Sequence, residues 1–299
     1  MIKTNNFASL PNGIRIHYAS CGESHKPLLL CLHGFPEFWY SWKDLMPSLA
    51  EDYYVVAPDM RGYNLSSKPE SVESYKPKYL VQDLVHLVEY FGHEKTILIA
   101  HDWGGAIAWN FAIAYPQLID RLVILNSPHP YLFANALTHN SEQQASSQYM
   151  NWLRNPGSEQ ALSADDFEKL IGFFSKSKAP NWFDEQTKKA YVQAWSVPDA
   201  LRSAVNWYRA SPLYPPIDGD PGAAKLTLRP EDFIVKVPTL VIWGMDDVAL
   251  PALLLDGLMD FLPQGRIVKV PGAGHWLVHE KPKLILEKIK EFIHPQNRL

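Results

Sequence analysis

The stretch Thr96-Ile97-Leu98-Ile99-Ala100-His101-Asp102-Trp103-Gly104-Gly105-Ala106 decides the fold. A short aliphatic and β-branched run leads to one acidic residue and then breaks on small residues into a helical pattern. This order is typical of a strand-to-helix turn that carries a nucleophile, because glycines let neighbouring backbones close around the reactive side chain. The following helix directs its free N–H groups and the positive end of its dipole at the same point. The pattern therefore predicts a nucleophile elbow with Asp102 at its tip.

Apolar runs on both sides of this elbow predict a sheet. They occur at residues 28–32 and 54–58 before it, and at 122–125, 239–244 and 266–270 after it. Continuous apolar runs are typical of parallel strands that are covered on both faces. Helical spacing lies between most of the runs. The alternation predicts an α/β fold with a mostly parallel, doubly wound sheet.

The strand pattern is interrupted between residues 131 and 229. That segment contains aromatic-rich helical patterns broken by prolines, and it has no buried strand run. We interpret it as a helical cap inserted into a single core. Residues 1–130 would then form the first part of the core, 131–229 the cap and 230–299 the second part of the core. The last amphipathic pattern predicts a helix from about Pro282 to the neighbourhood of Ile293.

Composition and charge narrow the possible functions. The 28 Lys and Arg residues against 32 Asp and Glu residues give a net charge of −4, which argues against nucleic-acid binding. The two cysteines, Cys21 and Cys31, form neither a disulfide framework nor a metal-ligand spacing. No apolar signal core and no run of ~18 apolar residues is present. We expect a cytoplasmic protein without nucleic acid, membrane span, metal or cofactor, and we leave a homodimer open.

Two further strand ends supply a candidate base and a candidate acid. His275 lies in the glycine-rich loop after the last strand and is the candidate general base. Asp247 follows the preceding strand and is the candidate acid that orients His275, whereas Asp246 is expected to face solvent. The order Asp102, Asp247, His275 is the one in which such a fold places nucleophile, acid and base. A plainer interpretation makes each aspartate a helix cap and treats His275, like His101 and His129, as structural.

A fourth strand end offers backbone donors. The loop His33-Gly34-Phe35-Pro36-Glu37 follows the first apolar run, and such a loop supplies one N–H group of an oxyanion hole. The residue after the nucleophile supplies the other, which nominates the amides of Phe35 and Trp103. An Asp nucleophile attacks an electrophilic sp³ carbon and leaves a covalent ester on the enzyme. A Ser or Cys esterase is disfavoured because the elbow holds neither residue.

These motifs resemble those of the α/β-hydrolase-fold epoxide hydrolases over essentially the whole chain. The matching stretches are His33-Gly34-Phe35-Pro36, Asp59-Met60-Arg61-Gly62-Tyr63, His101-Asp102-Trp103-Gly104-Gly105, Gly244-Met245-Asp246-Asp247 and Gly274-His275-Trp276. The resemblance implies a cap that supplies two tyrosines to the epoxide oxygen, at the positions of Tyr149 and Tyr208. Phenols suit this role because ring opening builds an alkoxide, and a pKa of ~10 keeps the phenol proton available. We further expect the substrate pocket to include Pro36, Trp152, Trp207 and Trp276.

The resulting hypothesis is an epoxide hydrolase that converts a small apolar epoxide and water into a vicinal diol. Asp102 attacks a ring carbon to form an alkyl ester, and water activated by His275 with Asp247 then hydrolyses that ester. Its rate would depend on Tyr149 and Tyr208 as proton donors to the departing oxygen.

Two alternatives stay open. Haloalkane and haloacetate dehalogenases use the same Asp nucleophile. The haloacetate enzymes, however, carry a His-Trp pair where this chain has Asn151-Trp152, and they place their acid where it has Asn126. A non-catalytic binding protein of the same fold is the second alternative. Such a protein is expected to have lost a member of the triad, and this chain retains all three.

Overall fold

The computed structural model describes residues 1–174 and 180–294. Within them the strands are β1 (Lys3–Ser9), β2 (Arg15–Cys21), β3 (Leu28–Leu32), β4 (Tyr54–Pro58), β5 (Thr96–His101), β6 (Ile119–Leu125), β7 (Thr239–Gly244) and β8 (Gly265–Val270). They form one sheet in the order β1-β2-β4-β3-β5-β6-β7-β8. β2 pairs antiparallel with β1 and β4, and the other neighbours are parallel. The α/β-hydrolase fold predicted from the sequence is confirmed.

Helices connect these strands and flank the sheet. They are α1 (Met46–Leu49), α2 (Pro77–Tyr90), α3 (Asp102–Ala114), α4 (Pro130–His139), α5 (Ser141–Ser146), α6 (Gln148–Arg154), α7 (Ser158–Phe174), α8 (Glu185–Trp195), α9 (Ala200–Ala210), α10 (Leu277–Glu280) and α11 (Pro282–Ile293). The predicted last helix corresponds to α11. Over the described ranges, no helix combines the length and the apolar character that crossing a bilayer would take.

Successive residues of β3 show why its sequence is apolar throughout. Leu28 and Leu30 belong to one buried cluster, which includes residues of α2 and α3. Leu29 and Cys31 belong to a second cluster, which includes residues of α1 and α11. Side chains alternate across a strand, so a strand covered on both faces needs apolar residues at every position. Cys31 therefore acts as a small core side chain.

Six helices, α4 to α9, lie between β6 and β7 in the described part of the chain. The β-pairing described in this segment is one isolated bridge, between Ile217 and Asp220. α7 is interrupted rather than continuous, because Asp165, Asp166 and Phe167 have φ angles of 50°, 52° and 65°. A helical segment was expected here, and the division into core and cap at residues 131 and 229 stays a prediction.

Close backbone approach shapes the elbow between β5 and α3. Asp102 itself has a φ of 49°, in the left-handed region that few non-glycine residues adopt. A Cβ atom on Gly104 would lie 2.6 Å from the carbonyl oxygens of Leu32 and His33. One on Gly34 would lie 2.2 Å from Asp102 Oδ1. The end of β3 and the start of α3 can pack this tightly only because both positions lack a side chain.

Gly104→Ala tests this packing. The added methyl group meets rigid backbone oxygens, so we expect it to lower the free energy of unfolding by about 2 kcal/mol. Gly172→Ala in α7 is the matched control, because a Cβ atom there meets nothing within 4 Å. That change should be neutral or stabilising by less than ~1 kcal/mol. Urea unfolding measures both, and equal stability of the two variants would contradict the steric argument.

Candidate active site

Asp102 is held at the tip of the elbow by groups from two other strand ends. The Phe35 N–H donates a hydrogen bond of 2.8 Å to Asp102 Oδ1. Ser127 Oγ, just beyond β6, donates to the Asp102 carbonyl oxygen at 2.7 Å. His275 Nε2 lies 3.7 Å from Oδ2, the other carboxylate oxygen. The carboxylate of Asp102 therefore bonds a backbone amide through one oxygen and faces a histidine with the other.

Asp247 and His275 form a buried pair beside it. His275 Nδ1 lies 2.7 Å from Asp247 Oδ2. Asp247 also accepts bonds from the Asn126 side chain at 2.6 Å and from the backbone N–H groups of Ala249 and Leu250, both at 2.9 Å. Burial alone would raise the pKa of Asp247, but the charge and hydrogen bond of His275 and the Asn126 amide lower it. The neighbouring Asp246 is exposed.

The environment of His275 favours its protonated form. Burial would lower its pKa, but the charge and hydrogen bond of Asp247, followed by the charges of Asp102 and Glu37, raise it to about 9. His275 is therefore an imidazolium ion at neutral pH while Asp102 carries its negative charge. Loss of that charge would bring the pKa of His275 down.

His33 fixes the loop that carries the Phe35 amide. The Met60 N–H donates to His33 Nε2 at 3.0 Å, so the ring proton lies on Nδ1 and is donated to the Gly34 carbonyl at 2.9 Å. Burial lowers the pKa of His33, which favours this neutral form. The loop after β3 is thus tied to the loop after β4.

Glu37 is a buried carboxylate whose side chain the sequence analysis did not consider. It accepts hydrogen bonds from Tyr191 Oη and His279 Nε2, each at 2.7 Å. His101 Nδ1 lies 3.3 Å from its second oxygen, and His101 Nε2 lies 2.9 Å from the His275 carbonyl oxygen. Burial would raise the pKa of Glu37, but the charges and hydrogen bonds of His279 and His101 hold it well below its usual range. Glu37 therefore stays ionised beneath the active site.

The two tyrosines expected from the resemblance project from two separate helices to the same place. Tyr149 of α6 and Tyr208 of α9 have ring centroids 6.2 Å apart. The Tyr208 ring also makes edge contacts with Phe35 at 5.2 Å and Trp103 at 5.0 Å. Burial, and then the negative charge of Asp102, raises the pKa of Tyr149. Burial, Tyr149 and Asp102 likewise raise the pKa of Tyr208, so both phenols keep their protons at neutral pH.

Asp102 lies between two cavities, and both tyrosines line each of them. The first cavity has a volume of about 220 Å³ and the second about 470 Å³. The first has a mostly apolar lining that includes Pro77, Ile107, Pro128, Phe133, Met150, Leu213, Leu226, Leu228, Phe233 and Leu250. The second is more mixed and includes Phe35, Ser146, Lys169, Phe173, Asp246, His275 and Trp276.

Of the four residues expected in the pocket, Trp276 alone lines either cavity. Trp152 is 37% exposed, because the buried side of α6 is formed by Met150 and Leu153. Trp207 is buried but directs its indole N–H to the carbonyl oxygen of Arg61. Pro36 lies under the cap helix α8, where its carbonyl accepts a bond from Trp195. We therefore withdraw Pro36, Trp152 and Trp207 as pocket residues.

Asn126 is a second residue whose role the sequence analysis missed. Its side chain bonds Asp247 and also accepts the Gly244 N–H at 2.7 Å. Its position at the end of β6 was a usable signal, because the carboxyl ends of parallel strands meet at one edge of the sheet.

The amide of Trp103 lies in the first turn of α3, where N–H groups have no partner within the helix.

Known proteins resemble this chain over nearly its full length. Residues 27–282 match the family model of the α/β hydrolase fold. The AB hydrolase superfamily protein YfhM of Bacillus subtilis is 37% identical, over 95% of this chain and 96% of that protein. Epoxide hydrolase 1 of Caenorhabditis elegans is 34% identical, over 94% of this chain and 68% of its own. A crystal structure of a Bacillus megaterium epoxide hydrolase with an inhibitor has a TM-score of 0.86 at 32% identity, covering 96% of this chain and 99% of that one.

The charge on His275 predicts a pH dependence of stability. Its pKa in the folded state is about 9, above the ordinary histidine value of 6.5. The stabilisation is therefore complete below pH 6.5 and is lost as pH rises through about 9, by up to ~3 kcal/mol. His275→Gln removes this titration, so the wild type should lose stability across that window relative to the variant. Thermal unfolding from pH 6 to pH 10 measures the difference, and parallel curves would contradict the prediction.

Proposed function

Because the chain belongs to the α/β-hydrolase-fold epoxide hydrolases, we propose that it opens an epoxide to a vicinal diol through a covalent ester on Asp102. One observation carries the proposal. Asp102 borders the same cavities as two protonated phenols, and a histidine–aspartate pair stands beside its free oxygen. A nucleophile, a proton donor for the departing oxygen and a base for water are thus all present at one point.

Ring opening is the first step. Asp102 Oδ2 forms a bond to one epoxide carbon, and the bond from that carbon to the ring oxygen breaks with its electron pair going to oxygen. Oδ1 meanwhile stays bonded to the Phe35 N–H. Tyr149 and Tyr208 bond the ring oxygen, and one of them gives it a proton and becomes a phenolate. The product is a hydroxyalkyl ester of Asp102.

Ester formation prepares the base for the second step. An esterified Asp102 has lost its negative charge, which is one of the charges that raise the pKa of His275. His275 can then release its proton to solvent and act as a general base at neutral pH, and it takes a proton back from solvent once the Asp102 carboxylate is regenerated. Asp247 keeps Nδ1 bonded, so Nε2 is the nitrogen that faces the ester.

Hydrolysis of the ester completes the cycle. Water gives a proton to His275 Nε2 and bonds to Cγ of Asp102, and the oxyanion forms on Oδ1, which the amides of Phe35 and Trp103 would stabilise. The bond from Cγ to the alkyl oxygen then breaks, and that oxygen takes the proton from His275 and leaves as the diol. The regenerated carboxyl group returns its proton to the phenolate. The new oxygen of the diol therefore comes from Asp102, and the oxygen of water remains in the protein.

The shape of the site indicates the substrate class. The first cavity offers mainly aliphatic and aromatic surface, so an apolar substituent of the epoxide gains free energy by leaving water there. We propose an aryl or alkyl epoxide as the substrate. Halide release from matched haloalkanes, measured beside diol formation from epoxides, distinguishes an epoxide hydrolase from a dehalogenase.

Replacement of the nucleophile and of the base should have different effects. Asp102→Ala is expected to abolish diol formation. His275→Gln should stop the second step and accumulate the ester, seen by mass spectrometry as the protein plus one epoxide. A single turnover of the wild type in heavy-oxygen water should label the protein and leave the diol unlabelled. A labelled diol, or normal turnover by His275→Gln, would be inconsistent with the mechanism.

The two phenols should act on ring opening. Tyr149→Phe and Tyr208→Phe each remove one donor, and we expect each to slow ester formation by roughly 10- to 100-fold. Tyr79→Phe is the control, because Tyr79 is 42% exposed on α2. Rapid quenching followed by mass spectrometry gives the rate of ester formation. If both cap variants form the ester at the wild-type rate, the phenols are not the proton donors.

A further inference from the structure

The two helices that carry the tyrosines are joined at their C-terminal ends. α6 carries Tyr149 and ends at Arg154, and α9 carries Tyr208 and Arg209 in its last turn. The last carbonyl groups of a helix have no N–H partner within the helix, and cations are favoured beside them. Here the arginine of the other helix donates to carbonyl oxygens at each of the two ends.

Arg154 of α6 bonds carbonyl groups at the C-terminal end of α9. Its Nη1 donates to the carbonyl oxygens of Tyr208 at 2.5 Å and of Ser211 at 3.0 Å. The guanidinium group also lies 3.7 Å from the centre of the Tyr214 ring, which holds its plane in place. Arg154 thus bonds the backbone of Tyr208 itself.

Arg209 of α9 likewise contacts carbonyl groups at the C-terminal end of α6. Its Nη2 donates to the Asn155 carbonyl oxygen at 3.0 Å, and its Nε approaches the Arg154 carbonyl oxygen at 3.4 Å. The same guanidinium group pairs with Glu159 at 2.5 Å at the start of α7. Both arginines are therefore fixed by a second contact, and neither is a free surface charge.

We propose that Arg154 and Arg209 form an arginine clamp that sets the position of the Tyr149 and Tyr208 phenols relative to each other. The inference rests on the proposed function, because it concerns the two donors of the ring-opening step. Both phenols must reach one epoxide oxygen, and a catalytic group displaced by about 1 Å can lose two orders of magnitude in rate. The clamp fixes that geometry without touching the substrate, so its members are positioning residues.

The clamp should affect only one of the two half-reactions. Ring opening uses the phenols, which the cap helices carry. Ester hydrolysis uses His275 and Asp247, whose hydrogen bonds come from the loops after β6, β7 and β8. A general loss of stability would slow both steps together. A selective loss of ring opening is therefore the signature of the clamp.

The test compares arginine variants on α6 and α9. Arg154→Met and Arg209→Met remove the clamp, and Arg154→Lys and Arg209→Lys keep the charge but lose the planar fork that reaches two carbonyls. Arg202→Met is the matched control, because Arg202 of α9 also bonds backbone carbonyls, those of Pro69 and Glu70 in the core, at 3.3 and 3.2 Å. Thermal unfolding checks that each variant is folded. If a Met variant does not fold, the corresponding Lys variant is used for the test.

Styrene oxide is the probe. Ester formation is followed by rapid quenching and mass spectrometry in a His275→Gln background. With native His275, kcat divided by the fraction of enzyme held as ester at saturation gives the rate constant of hydrolysis. We expect ester formation to fall about tenfold or more in the Met variants and less in the Lys variants. Hydrolysis should change less than twofold, and Arg202→Met should match the wild type in both steps.

Two results would overturn the clamp. One is an unchanged rate of ester formation in folded Arg154 and Arg209 variants. The other is an equal fall in ester formation and hydrolysis. If the proposed function itself were wrong, His275→Gln with both arginines intact would form no ester at all.

Discussion

One hydrogen bond, from the Phe35 N–H to Asp102 Oδ1, sets the geometry on which the site depends. It requires the loop after β3 and the elbow after β5 to approach until Gly34 leaves no room for a Cβ atom. It also assigns different tasks to the two oxygens of one carboxylate. In the proposed mechanism, Oδ1 is the oxygen on which the oxyanion forms, and Oδ2, beside His275, is the oxygen that attacks the substrate. The parallel sheet provides this arrangement, because its strand ends bring Asp102, Asn126 and Asp247 to one edge.

The carboxylates around His275 would couple the two steps of the proposed mechanism. Asp247, Asp102 and Glu37 all raise its pKa, so the resting site holds an imidazolium ion among carboxylates. In the proposed mechanism, the ester on Asp102 would remove one of those charges when a base is needed, and with it the charge that acts on the phenols. The same negative charge raises the pKa of Tyr149 and Tyr208 before reaction. Its loss makes the phenols better acids as the alkoxide develops.

The sequence predicted those parts of the site that follow from order along the chain. Asp102, Asp247 and His275 each follow a strand, so the rule for parallel sheets brings them together. The two phenols were assigned from the family resemblance, and they line both cavities together with Asp102. Contacts between distant segments could not be predicted in this way. Glu37 meets Tyr191 and His279, which are 154 and 242 positions away. Between β6 and β7, aromatic composition did not distinguish the inward from the outward faces of the helices, so the expectation for Trp152 was wrong.

Three aromatic donors from α8 and α9 join the segment between β6 and β7 to the loops after β3 and β4. Tyr191 bonds the Glu37 carboxylate, Trp195 bonds the Pro36 carbonyl, and the indole of Trp207 bonds the Arg61 carbonyl, at 2.7, 2.7 and 2.9 Å. Moving that segment away would break three hydrogen bonds, one of them to an ionised carboxylate, at a net cost of roughly 0.5–1.5 kcal/mol for each neutral bond and roughly 1.5–3 kcal/mol for the charged one. Movement of the whole segment away from the sheet is therefore a costly way to admit substrate and release product. An exchange of substrate and product that leaves these three bonds in place avoids that cost.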